Sequence, residues 1–151
     1  MSIRITSQAF EHDKPIPKPF TGDGADRSPA LRWSGLPAGT KELAMIVDDP
    51  DAPVAEPWVH WVIYKIPGNS SGLDEGAIPT GALEGKNTFG NMGYGGPAPP
   101  KGHGVHHYHF KLYALDAPLQ VKAGLDKKAL LAAMAGHILS QGELIGTYER
   151  R

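Results

Sequence analysis

Residues 94–115 read YGGPAPPKGHGVHHYHFKLYAL. A loop stiffened by Gly and Pro runs directly into an alternating segment, and that junction decides how the chain is read. In a strand over residues 105–115 the side chains alternate faces. One face is His106, Tyr108, Phe110, Leu112 and Ala114; the other is Val105, His107, His109, Lys111, Tyr113 and Leu115. The first is apolar except where the loop delivers it, so it is expected to face a core. The second is expected to be largely solvated. A His and a Tyr at the mouth of an apolar face need partners, because a buried polar group without one is costly. A bound ligand is one such partner.

Outward from there, residues 41–49 (KELAMIVDD) are apolar on both faces until the end, as a central strand should be. They place Asp49 at the strand's C-terminal edge, on the face of Leu43, Met45 and Val47. DPDAP follows at 49–53, where two prolines fix the backbone. Residues 58–66 form another strand, with Trp58, His60, Val62, Tyr64 and Ile66 on one face and Val59, Trp61, Ile63 and Lys65 on the other. If Trp61 lies on an outer face it invites a homodimer; a covering loop is the alternative. The glycine-rich stretch 68–96 is long for a loop, and such loops tend to be functional. Residues 1–9 are expected as an edge strand, and 11–36 as a long ordered loop anchored by Trp33. Asp126 is a candidate N-cap for a helix over 127–141. Its buried stripe would be Leu130, Leu131, Met134 and Ile138, with Gly142 ending it. Residues 142–151 would be a short strand or tail.

The chain has 151 residues, so a single domain spanning 1–151 is expected. The formal charge of -1 and scattered Lys and Arg argue against a nucleic-acid partner. No apolar run approaches the roughly 20 residues of a membrane span, so no stable membrane insertion is expected. Cysteine is absent, which excludes disulfide and thiol chemistry and is compatible with a reducing compartment. A cytoplasmic protein is expected.

Three polar elements sit at strand ends beside rigid loops: Asp49, His60, and His106 with Tyr108. If the strands share one sheet, they meet at one rim. Two imidazoles, a phenol and the backbone N–H groups of Gly95 and Gly96 would suit an oxyanion. Asp49 would orient an imidazole or receive the amine of a zwitterionic ligand, and Pro53, Trp58 and Pro100 would supply apolar walls. The alternative is that each residue is separately satisfied. Residues 103–109 carry four histidines. His106 and His107 point to opposite faces of one strand and cannot easily share a metal, while His107 and His109 share an outer face able to trap a stray ion. There is no GxSxG elbow, and Asp49 with His60 is a base without a nucleophile. Gly93, Gly95 and Gly96 form neither GxGxxG nor a Walker loop. Neither an enzyme nor a cofactor is expected.

The chain resembles the phosphatidylethanolamine-binding protein family, which includes the Raf kinase inhibitor proteins, in its bacterial and archaeal branch. The resemblance is carried by SPALRWSGLPAGTKELAMIVDDPDAP (28–53), PWVHWVIYKIP (57–67), GYGGPAPPKGHGVHHYHFKLYALD (93–116) and AMAGHILSQGELIGTY (133–148). It implies an antiparallel β-sandwich with a few short peripheral helices, and cis bonds near DPDAP, for which Ala52–Pro53 and Glu56–Pro57 are the candidates. It implies an anion pocket built from Asp49, Asp51, Pro53, Trp58, His60, Gly96, Pro100, His106 and Tyr108. Ala98 stands where eukaryotic members commonly have Gly, and Thr88 where many prokaryotic members have Asp. The function implied is non-enzymatic binding of a small anion, such as phosphate or a phosphorylated headgroup. The alternative is a regulatory inhibitor of a protein kinase or serine protease acting through the same rim.

Overall fold

Residues 42–49 are buried at every position, because this strand has a sheet on one side and a helix on the other. In the computed structural model, which describes residues 3–151, the elements in chain order are β1 (Arg4–Thr6), β2 (Lys14–Pro15), β3 (Leu31–Ser34), β4 (Glu42–Asp49), β5 (Trp58–Pro67), β6 (Gly72–Leu73), β7 (Leu83–Glu84), β8 (His106–Leu115), α1 (Lys127–Met134) and β9 (Ile138–Tyr148). A six-stranded sheet runs β2-β9-β8-β4-β5-β7, and a three-stranded sheet β1-β3-β6 lies against it. Every pairing is antiparallel except β2 with β9. The architecture is the mainly β, two-sheet arrangement expected.

Two cores flank the large sheet. Leu43, Met45, Val47, Trp61, Phe110 and Leu112 pack toward the small sheet with Ile5, Leu31 and Trp33. Ala44, Ile46, Val62, Tyr64, Tyr113 and Leu115 pack under Leu130 and Met134 of α1. The outer face of β8 is therefore solvated only near its start: Tyr113 and Leu115 are buried, because α1 covers them. Trp61 is fully buried. It donates to Glu84 Oε2 at 2.8 Å and meets Tyr94 edge-on at 5.5 Å. The covering loop is thus present, and the exposed aromatic that would have invited a homodimer is not.

Other expectations need correction. The edge strand is only Arg4–Thr6, and residues 1 and 2 lie outside those described. Within the expected 11–36 loop, Leu31–Ser34 is the central strand of the small sheet; Trp33 does anchor it, donating Nε1–H to Ser70 O at 2.8 Å. Asp126 caps α1, its carboxylate accepting from Ala129 N at 2.8 Å. The helix nevertheless stops at Met134, because Ala135 turns extended (ψ 127) and Gly136 takes φ 82. The chain returns as β9, and Gly142 sits inside that strand. A Cβ there would lie 2.2 Å from Ile3 O, so this glycine permits close sheet packing rather than capping a helix. The described peptide bonds, including Ala52–Pro53 and Glu56–Pro57, are trans.

Candidate anion-binding site

Because β5 and β8 both run antiparallel to β4, the end of β4 meets the starts of its two neighbours. Asp49 lies opposite Trp58, and its Oδ2 accepts from His106 Nδ1 at 2.6 Å, with the two side chains only 4% and 2% exposed. Its Oδ1 accepts from Asp51 N at 2.8 Å, closing the turn. Asp49 therefore orients His106, not His60, and its two oxygens are committed. That favours the orienting role over reception of a ligand amine.

His60 arrives by an irregularity. Val47 pairs with Trp61 but Asp48 pairs with Val59, so His60 is the extra residue of a β-bulge, which re-aims a side chain. Its ring meets Tyr108 edge-on at 5.0 Å, on the sandwich side, whereas Val62 and Tyr64 face the helix. His60 Nδ1 lies 2.6 Å from Gly95 O. A carbonyl only accepts, so Nδ1 carries the proton and, in the neutral ring, Nε2 is a bare acceptor. Burial pushes the His60 pKa below its usual value, outweighing the opposing pull of the Gly95 carbonyl and of Asp49.

These groups border a cavity of about 210 Å³ lined by Asp49, Ala52, Pro53, Val54, Trp58, His60, Phe89, Ala98, Pro99, Pro100, His106 and Tyr108. It is smaller than the usual drug-sized site. Trp58 Nε1 and Tyr108 Oη are buried and have no hydrogen-bond partner among the described residues. Burial, with Asp49 close by, pushes the Tyr108 pKa up, so the phenol keeps its proton. None of the described residues lining the cavity is Lys or Arg.

Seven of the nine expected residues line this cavity; Asp51 and Gly96 do not. Asp51 turns to the outer face, where its Oδ2 accepts from His107 N at 2.8 Å and lies 2.7 Å from His107 Nδ1. Burial raises its pKa, but the His107 hydrogen bonds outweigh that and hold the carboxyl below its usual range. The amides of Gly95 and Gly96 are engaged with His60 O at 2.8 Å and Asp26 Oδ1 at 2.7 Å, so neither is offered to an anion. Thr88 serves β5, its Oγ1 accepting from Val59 N at 2.7 Å. Ala52, Val54, Phe89 and Pro99 were missed as lining residues. The larger omission is His103, whose Nδ1 lies 2.7 Å from His106 Nε2. The histidine-rich run signalled it, but alternation says nothing about a loop residue folding back. His109 Nδ1 is 3.0 Å from Glu143 Oε2.

The model of the phosphatidylethanolamine-binding protein family matches residues 6–149, and the chain belongs to that family. A UPF0098 protein of Methanothermobacter thermautotrophicus is 46% identical over 153 residues, covering 98% of this chain and 99% of that one. The crystal structure of a phosphatidylethanolamine-binding protein homolog from Chlamydia trachomatis superposes with a TM-score of 0.92 at 42% identity, over 99% of each chain. Escherichia coli YbcL superposes with a TM-score of 0.94 at 33% identity, over the full length (100%) of both. A Mycobacterium tuberculosis protein named lipoprotein LppC is 42% identical over 97% of this chain and 72% of its own length.

Proposed function

We propose that the protein is a non-enzymatic receptor for a small oxyanion, a phosphate or phosphorylated group. The observation that carries this reading is the pair of orphaned donors, Tyr108 Oη–H and Trp58 Nε1–H, on one small cavity. Buried polar groups without partners are rare, and each costs about 1–3 kcal/mol. Both have a hydrogen to give, so together they call for an acceptor. The test is Tyr108→Phe. Removing an orphaned hydroxyl should leave stability unchanged or raise it by about 1 kcal/mol. Losing one donor to a charged acceptor should weaken phosphate at least about tenfold. Calorimetric titration beside urea denaturation reads both. Wild-type phosphate affinity in Tyr108→Phe would remove the observation on which the reading stands.

With a neutral His60 and the Asp49 carboxylate beside the cavity, a fully ionised dianion meets no cationic partner from Lys or Arg. Binding is therefore coupled to proton uptake, by an imidazole bordering the cavity (His60 Nε2 or His106 Nε2) or by the ligand. Phosphate affinity should rise from about pH 7.5 to 5.5, by up to about tenfold per unit. Sulfate, which carries no proton in this range, should show the same slope only if an imidazole of the site takes the proton. The stability sign follows from His60. Its folded pKa lies below the unfolded value of 6.5, so the unfolded chain binds more protons and stability falls as pH drops below about 6.5. An anion that favours the imidazolium offsets that fall. A flat affinity profile for both anions would count against proton coupling.

Val54 and Phe89 at the mouth are 52% and 41% exposed. A wider groove of about 890 Å³ shares Val54 and Trp58 with the cavity and carries Lys86, Lys127 and Lys128. This collar favours a phosphate borne by something larger, a lipid headgroup or a phosphorylated side chain, and it supports regulation of a kinase or protease through the rim as the second reading. No described helix is long and apolar enough to cross a membrane. A cytoplasmic location is part of the proposal on the separate ground that the chain has no cysteine.

A further inference from the structure

We infer that His103 is an internal competitor of the ligand: it occupies the one nitrogen through which His106 can reach an anion, and the anion must displace it. The inference rests on the oxyanion reading above. Asp49 accepts from His106 Nδ1 at 2.6 Å, so that nitrogen carries a proton and only Nε2 remains for the cavity. Nε2 is already 2.7 Å from His103 Nδ1, with the ring centroids 4.9 Å apart and tilted by 60°. A relay thus runs from a buried carboxylate, through a buried imidazole, to an exposed one.

His103 is built to move. Gly102 and Gly104 on either side take φ 77 and φ 94, and neither has an atom within 4 Å of where a Cβ would stand. The His103 amide donates to Pro100 O at 3.1 Å, so its backbone is tied to the cavity wall while its ring lies outside the lining. No packed core holds the ring in place.

Proton counting gives the contact its direction. One facing nitrogen must carry hydrogen and the other must be bare. With no excess proton, His103 Nδ1–H donates to His106 Nε2. With one, the bond survives in either direction. With two, a pair of N–H groups on two imidazolium ions face each other, and the contact opens. The other charged or titratable groups around His106 are Asp49 from β4, Asp51 from the turn after it, Tyr148 opposite it on β9, Tyr108 stacked at 6.5 Å on the same strand, His60 beyond the Tyr108 ring, and Arg150, whose charge acts on Tyr108. Among the described residues none of these bonds Nε2. While the contact is closed His106 offers the cavity no free donor; once open, its Nε2–H can take an anion oxygen. His103 therefore keeps His106 from the ligand until their contact opens.

The test is His103→Ala in the full chain, read by nitrogen NMR of the imidazoles without ligand and by calorimetric titration of inorganic phosphate near pH 5.5 and 7.5. Without ligand, the His106 Nε2 resonance should move while the Nδ1–H signal persists. Near pH 7.5 the variant should bind phosphate about three- to tenfold tighter, the size of one hydrogen bond no longer broken. The gain should be smaller at the lower pH, because a second excess proton on the pair opens the contact in wild type as well. An unmoved Nε2 resonance overturns the contact. Equal or weaker phosphate binding near pH 7.5 overturns the competition and leaves the oxyanion reading standing. A shifted Nε2 with phosphate bound by neither protein overturns the oxyanion reading instead, and the competition with it.

Discussion

His106→Ala should lower the free energy of unfolding by about 3–5 kcal/mol, which makes it one of the most damaging single substitutions in the chain. The side chains of Asp49 and His106 are 4% and 2% exposed. Removing the imidazole leaves a carboxylate facing an apolar cavity, with one backbone N–H, that of Asp51, still bonded to it. Most of the expected loss is that stranded charge rather than the worth of the pair. Removing both partners, as in Asp49→Leu with His106→Phe, should therefore be milder than His106→Ala alone. Asp49→Asn should also be milder, since an amide oxygen still accepts from His106 Nδ1–H. Urea midpoints with an unchanged m-value would measure all three. A His106→Ala protein within about 1 kcal/mol of wild type would mean that the buried dyad carries no net charge to strand. The size of the effect also bears on function: a phosphate signal lost in His106→Ala can report lost folding, whereas Tyr108→Phe in the cavity and His103→Ala beside it strand no charge.

The parts of the site that sequence reading recovered are those that alternation alone determines. Inward-facing His106, Tyr108, Phe110, Leu112 and Ala114, and Asp49 at the end of a doubly covered strand, needed only a period of two. What it missed depends on neighbours. His60 looks as though it shares a face with Val62, but an extra residue opposite the Val47–Asp48 step turns it toward Tyr108. A bulge belongs to a pair of strands and leaves no mark in one. Tyr113 and Leu115 read as solvated because nothing in β8 announces the helix above them. Residues 127–141 satisfied a helical stripe through Ile138, and the break depended on Gly136 adopting a left-handed turn, where Gly142 looked the better terminator. Asp51 came from the family resemblance, and Gly96 from the glycine amides of its loop as well as from that resemblance. Family position located them near the rim without saying which way a carboxylate points or where an amide donates.

Gly96 is the sharper case, because its role is in what it lacks. Its amide donates to Asp26 Oδ1, and a Cβ on it would lie 2.5 Å from that oxygen, 2.5 Å from Phe20 O and 2.8 Å from Thr21 Cα. Two of those three atoms are backbone, so the obstruction cannot rotate away. The same two loops are joined again by Tyr94 Oη donating to Phe20 O at 2.6 Å and Gly22 N donating to Pro97 O at 2.8 Å. Gly96→Ala should therefore destabilise by about 3 kcal/mol, the upper end for overpacking. It should also drag the 97–100 wall off the cavity, weakening phosphate at least about tenfold. Gly95→Ala is the matched control. Its Cβ would meet the ring of Phe89 at 2.8 Å, but that side chain is 41% exposed and can swing outward. Its stability cost should stay below about 1 kcal/mol. Its effect should appear in binding, because Phe89 would leave its edge-on contacts with Trp58 at 5.4 Å and His60 at 5.3 Å and open the mouth. Equal stability of the two variants would mean the 20–26 loop yields as easily as an exposed ring, and the fixed wall assumed for the cavity would not be fixed.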